Sequence, residues 1–296
     1  MNRAQNTDKN KKGKKKSKLV LFWRQFRKNK GAVIGLIFIV LLVIMAIVST
    51  SIWNYEKEIT GMNPLERLQT PNGSHPFGTD YMGRDVMARV FFGARYSLLI
   101  SLGVVAISFV FGLTIGAIAG YFGGKVENII MRIIEIFLMI PSFMLVVVFV
   151  AAFGIGLKNL ILALGLVTVP HFTRIARSSV LSVRSQEYIE AARASGASEL
   201  HIVFKHVIPN SLSPSLVQAS TRFASAIIDA AAFSFLGLGV PPPLPEWGAL
   251  LNDARSYMRT YPHLILFPGI AIMLTVFAVN LVGDGIRDAL DPKLKH

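Results

Sequence analysis

Few residues in this chain are placed to do chemistry. The nearest approach to a phosphate-binding loop is Gly123-Gly124-Lys125. Ala119 stands where the upstream glycine belongs and Val126 where the metal-holding Ser or Thr belongs, so ATP binding of the P-loop kind is excluded. His75, Asp80 and Asp85 offer one imidazole and two carboxylates, a set chemically able to hold a metal. They lie in a turn-rich stretch, where such side chains cap turns, and turn capping is the expected role. His201 and His206 read as helix-surface residues, and the absence of cysteine excludes disulfide and thiol chemistry. No catalytic, cofactor-binding or metal-ligating residue is expected.

The ionisable residues that stand in apolar surroundings are few. Arg132 and Glu135, three apart, share a helix face and are expected to pair near the membrane surface. His171 falls late in one apolar block. Asp229 lies among small residues, Ala226 to Ala232, without a partner nearby in sequence. A charge at such depth is a functional candidate, and Asp229 either faces a translocation path or meets a second subunit. No series of acidic and His residues runs along several blocks, which argues against a proton relay and a stand-alone secondary transporter.

The elements carrying these residues are set by composition. Of 296 residues 52% are hydrophobic and 16% charged, with mean hydropathy +0.51. Apolar residues gather in six blocks at about 31–53, 97–120, 129–152, 158–176, 213–237 and 263–283, each near the length a helix needs to cross a bilayer. With no period-2 alternation, an all-α membrane protein with six transmembrane helices is expected. Gly112, Gly116 and Gly120, and Gly31 with Gly35, put small residues on one face for close helix contact. Pro141, Pro170 and Pro268 should bend their helices.

Residues 1–30 hold twelve of the 31 Lys and Arg, including Lys11-Lys12-Gly13-Lys14-Lys15-Lys16. An excess of this kind marks the cytoplasmic side, so both termini are expected inside, with 54–96, 153–157 and 238–262 outside. The first block reads as a retained signal-anchor helix. The organisation is then a basic tail and pre-membrane segment (1–30), a six-helix domain (31–283) with an external loop (54–96) and a cytoplasmic loop (184–212), and a cytoplasmic tail (284–296). A basic tail beside a span favours lipid headgroups over nucleic acid as its partner.

The cytoplasmic loop is the most informative polar stretch. Gln186 to Ser195 reads as a short helix stopped by Gly196, and Ala197 to His206 as a second one ended by Pro209. Leu200, Val203 and Phe204 fall at i, i+3 and i+4, one apolar face for a groove on a soluble partner. Pro241-Pro242-Pro243-Leu244-Pro245 reads as a rigid extended connection, followed by Trp247 at the membrane interface.

Glu190, Ala191, Ala192, Gly196 and Pro209 resemble the signature loop of binding-protein-dependent ABC importer permeases. His206 and Ile208 stand at its two aliphatic positions, and a His there resembles the oligopeptide, dipeptide and nickel branch. Phe22 to Lys30, His75 to Asp80 with Gly83-Arg84-Asp85, Ser234 to Gly239 and Gly283 to Pro292 resemble further segments of that branch's second, C-type permease. Ala230 departs from relatives that carry Glu, and no role is carried over to it. The resemblance implies a type I importer architecture in a prokaryotic cell membrane, with Glu190 to Pro209 as the ATPase-coupling loop. It implies no cofactor on this chain, ATP and Mg in two partner ATPase subunits, a second homologous permease, and an extracytoplasmic binding protein delivering peptides. Nickel or metal-chelate import is the alternative.

Overall fold

The computed structural model describes residues 18–290, so the Lys11–Lys16 run and the chain beyond Leu290 lie outside the described residues. Eleven α-helices are found among them and no strand. They are α1 (Lys18–Phe26), α2 (Lys30–Ile52), α3 (Val86–Phe122), α4 (Gly124–Met139), α5 (Ser142–Phe153), α6 (Leu157–Arg184), α7 (Glu187–Ala194), α8 (Glu199–Ile202), α9 (Ile208–Phe235), α10 (Trp247–Ala254) and α11 (His263–Leu290).

Length and composition suit α2, α3, α6 and α11 to crossing a membrane. The expected third span is broken at Ile140-Pro141 into α4 and α5, which meet at 91° and make a fifth crossing if taken together. Ile140 is extended (φ −86°, ψ 130°), the conformation a following proline imposes. Pro170 and Pro268, expected to act likewise, lie inside unbroken helices. The fifth expected span, α9, has 28 residues but is not apolar enough to count as a lipid-facing crossing, because Ser, Thr, Asn, Gln, Arg222 and Asp229 interrupt it.

The most extensive helix contact is between α3 and α6. The glycine spacing explains it: a Cβ on Gly116 would lie 2.5 Å from the Thr173 carbonyl oxygen, and one on Gly120 would lie 2.9 Å from that of Arg177. Only hydrogen atoms let the two backbones approach this far. Gly35 plays the same part between α2 and α11, facing the Ala278 carbonyl. Around this frame α9 packs on α3, α6 and α11, while α5 lies on α6. Ile34, Ile37, Leu41, Ile44 and Ile47 of α2 are exposed, as a lipid-facing helix requires.

One end of the bundle is capped by the connections before α3 and around α10. α3 begins at Val86, well before the expected 97, with Asp85 accepting from Ala88 N–H at 2.8 Å as its N-cap. His75 Nδ1 lies 2.8 Å from the same carboxylate, so His75 and Asp85 do cap the turn. Asp80 accepts from Arg84 Nε at 2.7 Å and from Arg89, and Asp253 of α10 lies 3.5–3.6 Å from both arginines. Burial pushes the Asp253 carboxyl up, opposed first by Arg89 and then by Arg84. Trp247, expected at the membrane interface, is instead buried inside the cap (1% exposed), its Nε1–H donating to the Val90 carbonyl at 2.9 Å. Beside it the buried Glu246 accepts from Ser97 Oγ and Ala249 N–H, both at 3.0 Å. Burial raises its pKa, while backbone and serine hydrogen bonds pull the other way.

Removing one member of a buried charge group leaves the others uncompensated, at a cost of about 3–5 kcal/mol. Asp80→Asn is therefore expected to lower the apparent melting temperature in detergent more than Asp253→Asn does, because Asp80 makes the closer contacts; thermal unfolding of the two variants checks the order.

Candidate functional site: the α7–α8 elbow

The elbow begins where α6 ends. α7 starts after Gln186 with Glu187 and Glu190 in its first turn and Arg193 in its last, the order the helix dipole favours. Its end is a full Schellman closure: Gly196 N–H donates to Arg193 O at 3.0 Å and Ala197 N–H to Ala192 O at 3.2 Å. Gly196 takes φ +81° with open space around it, so backbone conformation rather than room demands glycine there. Ser198 then caps α8 by accepting from His201 N–H.

Two expectations for this loop are corrected. Pro209 ends nothing: it lies in the first turn of α9, where a missing N–H is harmless. The chain runs from α8 through a wide π-type turn, Val203–Val207, straight into α9. Nor do Leu200, Val203 and Phe204 share a face. Leu200 and Phe204 are each 64% exposed, whereas Val203 is buried. A π turn advances fewer degrees per residue than an α turn, which swings Val207 to the side of Ile202 and Val203. These three, with Ile189 of α7, bury against Ala117 and Tyr121 of α3 and Val180 of α6.

The elbow thus has two faces. The outward one carries Glu190, Ala191, Leu200 and Phe204, all exposed, with Ala192 half-buried behind them. The inward one is a hydrophobic anchor, each buried Ile or Val worth about 1.5–3 kcal/mol. A polar clasp reinforces the anchor and was not anticipated from the sequence. The Tyr121 hydroxyl donates to Glu199 and accepts from Arg193 at 3.1 Å, while Arg193 Nε donates to Glu199 at 3.0 Å. The bonds from Tyr121 and then Arg193 hold the Glu199 carboxyl below the usual range. The sequence signals were faint: an aromatic at a span end and an ordinary helix-surface Glu and Arg. Near the same end Arg177 of α6 donates to Glu127 of α4 at 2.6 Å.

Between α6 and α9 two cavities with polar linings follow one another and together mark a polar track. At the elbow end a cavity of ≈ 400 Å³ is lined by Ser178, Ser179 and Ser182 of α6 and Asn210 and Ser211 of α9. Farther along, a cavity of ≈ 140 Å³ holds Asp229, Arg222 and His171, beside the α4–α5 break at Ser142. Asp229 thus meets a polar cavity of its own chain. Arg132 and Glu135 pair at 3.6 Å and are exposed on α4, away from it. Among the described residues no group of three or more His, Asp or Glu could hold a metal ion.

Residues 112–296 match the family described as binding-protein-dependent transport system inner membrane component, and residues 17–71 match the N-terminal TM domain of oligopeptide transport permease C. The dipeptide transport system permease protein DppC of Alkalihalophilus pseudofirmus is 45% identical over 92% of this chain and 89% of its own length. The di/tripeptide transport system permease protein DppC of Pseudomonas aeruginosa is 42% identical over 95% and 94%. The glutathione transport system permease protein GsiD of Pectobacterium atrosepticum is 42% identical over 93% and 91%. A solved structure of the MetNI methionine ABC transporter in an inward-facing conformation shares the fold at TM-score 0.58 and 22% identity, over 70% of this chain and 98% of that one.

The Tyr121 hydroxyl ties Glu199 and Arg193 of the elbow to α3, so removing it loosens that tie. Tyr121→Phe is expected to speed amide hydrogen exchange across 187–207 measurably while leaving 97–117 of α3 protected, read by mass spectrometry.

Proposed function

This chain belongs to the family of binding-protein-dependent transport system inner membrane components, and we propose that it serves as one permease subunit of an ATP-driven importer of short peptides. The observation that carries the reading is the elbow, which presents Leu200 and Phe204 outward while anchoring Ile189, Ile202 and Val203 to the ends of α3 and α6. The near full-length likeness to dipeptide and di/tripeptide permeases supports peptides as the cargo.

In this reading α9 is the fifth of six spans, its polar face turned to a path rather than to lipid, and both termini lie in the cytoplasm. A second, homologous permease closes the open side of the α6–α9 track. A binding protein delivers peptide to the cap end. Two ATPase subunits, which carry ATP and Mg, each receive one permease elbow in a groove. Their closure on ATP pushes the elbow, and its buried face carries the push to α3 and α6, shifting access to the track from one side to the other. Glu190, Ala191, Ala192 and Gly196 set the elbow's form, Leu200 and Phe204 fill the groove, and Val203 holds the elbow to the bundle. Pro209 starts α9.

Co-purification with the two ATPase subunits, the second permease and the binding protein tests the reading. ATP hydrolysis in lipid that rises when peptide-loaded binding protein is added supports it; a chain that purifies alone and moves solute without ATP contradicts it. A β-branched residue at φ +81° is strained by at least about 1–2 kcal/mol. Gly196→Val is therefore expected to abolish peptide uptake while the protein still inserts in the membrane, with Gly196→Asn, which tolerates that conformation, retaining part. Normal uptake by Gly196→Val would count against coupling through the elbow.

A further inference from the structure

The cavity around Asp229 has a composition that helix packing does not explain. Arg222 and Asp229 are seven residues apart on α9, two turns, so they share a face, and His171 of α6 joins them in one cavity. Neither Arg222 nor Asp229 forms an ion pair among the described residues. Asp229 is exposed and Arg222 half-buried in this chain, so both are open to whatever fills the cavity, and charges at mid-helix in a membrane protein call for a ligand that compensates them. The broken span opens onto the same place. Ser142 and Phe143, in the first turn of α5, line the cavity, and the N–H groups of that turn have no acceptor within the helix. Phe143 and Phe233, stacked at 5.0 Å, give it an apolar wall.

Backbone positions two turns apart stand about 10 Å apart along the helix. An extended peptide spans about 3.3–3.6 Å per residue, so the ammonium and carboxylate of a chain of about three residues match that separation. We propose that the cavity bounded by His171, Arg222 and Asp229 is a way-station for the zwitterion of a short peptide, Arg222 taking its carboxylate and Asp229 its ammonium. The inference rests on the peptide-import reading above and adds to it a site, a length class and a direction. Arg222 is nearer the elbow end of α9, so the peptide travels carboxylate first. The apolar wall receives its side chains without selecting among them.

The test is peptide moved per ATP hydrolysed by the reconstituted complex, with saturating loaded binding protein and a labelled tripeptide. Asp229→Asn and Arg222→Gln each remove a charge-assisted hydrogen bond, so each is expected to lower that ratio about tenfold. Asp229→Glu, which keeps the charge, is expected to restore most of it. A ratio unchanged in both neutral variants overturns the site while leaving peptide import standing. Loss of the second permease from the purified Asp229→Asn complex also overturns it, assigning Asp229 to the subunit interface. Absence of peptide uptake by the unmodified complex overturns the import reading and the site together.

Discussion

A helix of 37 residues is about 55 Å long, against about 30 Å of hydrocarbon, so α3 reaches well beyond the membrane at one end or both. Its first turns are held by Asp85, by the Arg89–Asp80 pair and by the Trp247 bond to Val90 O. Its last residue but one, Tyr121, holds the elbow. Between these ends the glycines at 112, 116 and 120 bring it against α6 at backbone distance. Two helices in such contact cannot slide or tilt independently, because the carbonyls of one lie where side chains of the other would otherwise be. Cap, seam and elbow are therefore parts of one stiff unit.

In the proposed reading partner ATPases drive this chain, and stiffness of that kind is what such a drive requires. A push on Leu200 and Phe204 is lost if the elbow yields, and here it meets two resistances: the packing of Ile189, Ile202, Val203 and Val207, and the Tyr121–Glu199–Arg193 clasp. α9, by contrast, joins the elbow through a wide turn and carries polar side chains along the track. The break at Pro141 gives a second place where a span changes direction beside the same cavity. Stiff and yielding elements thus meet along α6 and α9, where the proposed mechanism has access to the track change.

Much of this could be read in the sequence, and the misses have physical causes. The glycine seam was legible because four-residue spacing in an apolar helix has one geometric meaning. Gly196 was legible because it alone in the loop accepts a positive φ without strain. Val203 was misplaced because its face was projected on an α-helix, and the π turn at Val203–Val207 rotates the apolar residues differently. Pro209 was misread because a proline after a helical stretch signals an end, whereas in the first turn of a new helix it signals a start. Three prolines in apolar blocks looked equivalent, yet only Pro141 follows an extended residue. Tyr121 with Glu199, and His171 with Arg222 and Asp229, were invisible as groups because each joins helices far apart in sequence. Trp247 looked like a headgroup anchor because its hydrogen-bond partner, Val90 O, lies 157 positions away.

The chain has no cysteine, so single labels can be introduced without background. The most direct test of the central claim is the distance between spin labels at Ser195 on the elbow and Phe122 at the end of α3, both exposed, in the assembled complex without nucleotide and with ATP. A second pair at Ser178 and Asn210 reports on the two walls of the cavity between α6 and α9. One unchanged elbow-to-α3 distance in both states, while the Ser178–Asn210 distance shifts, is the result the account predicts. An elbow that moves relative to α3 when ATP binds, with the cavity walls fixed, would contradict it.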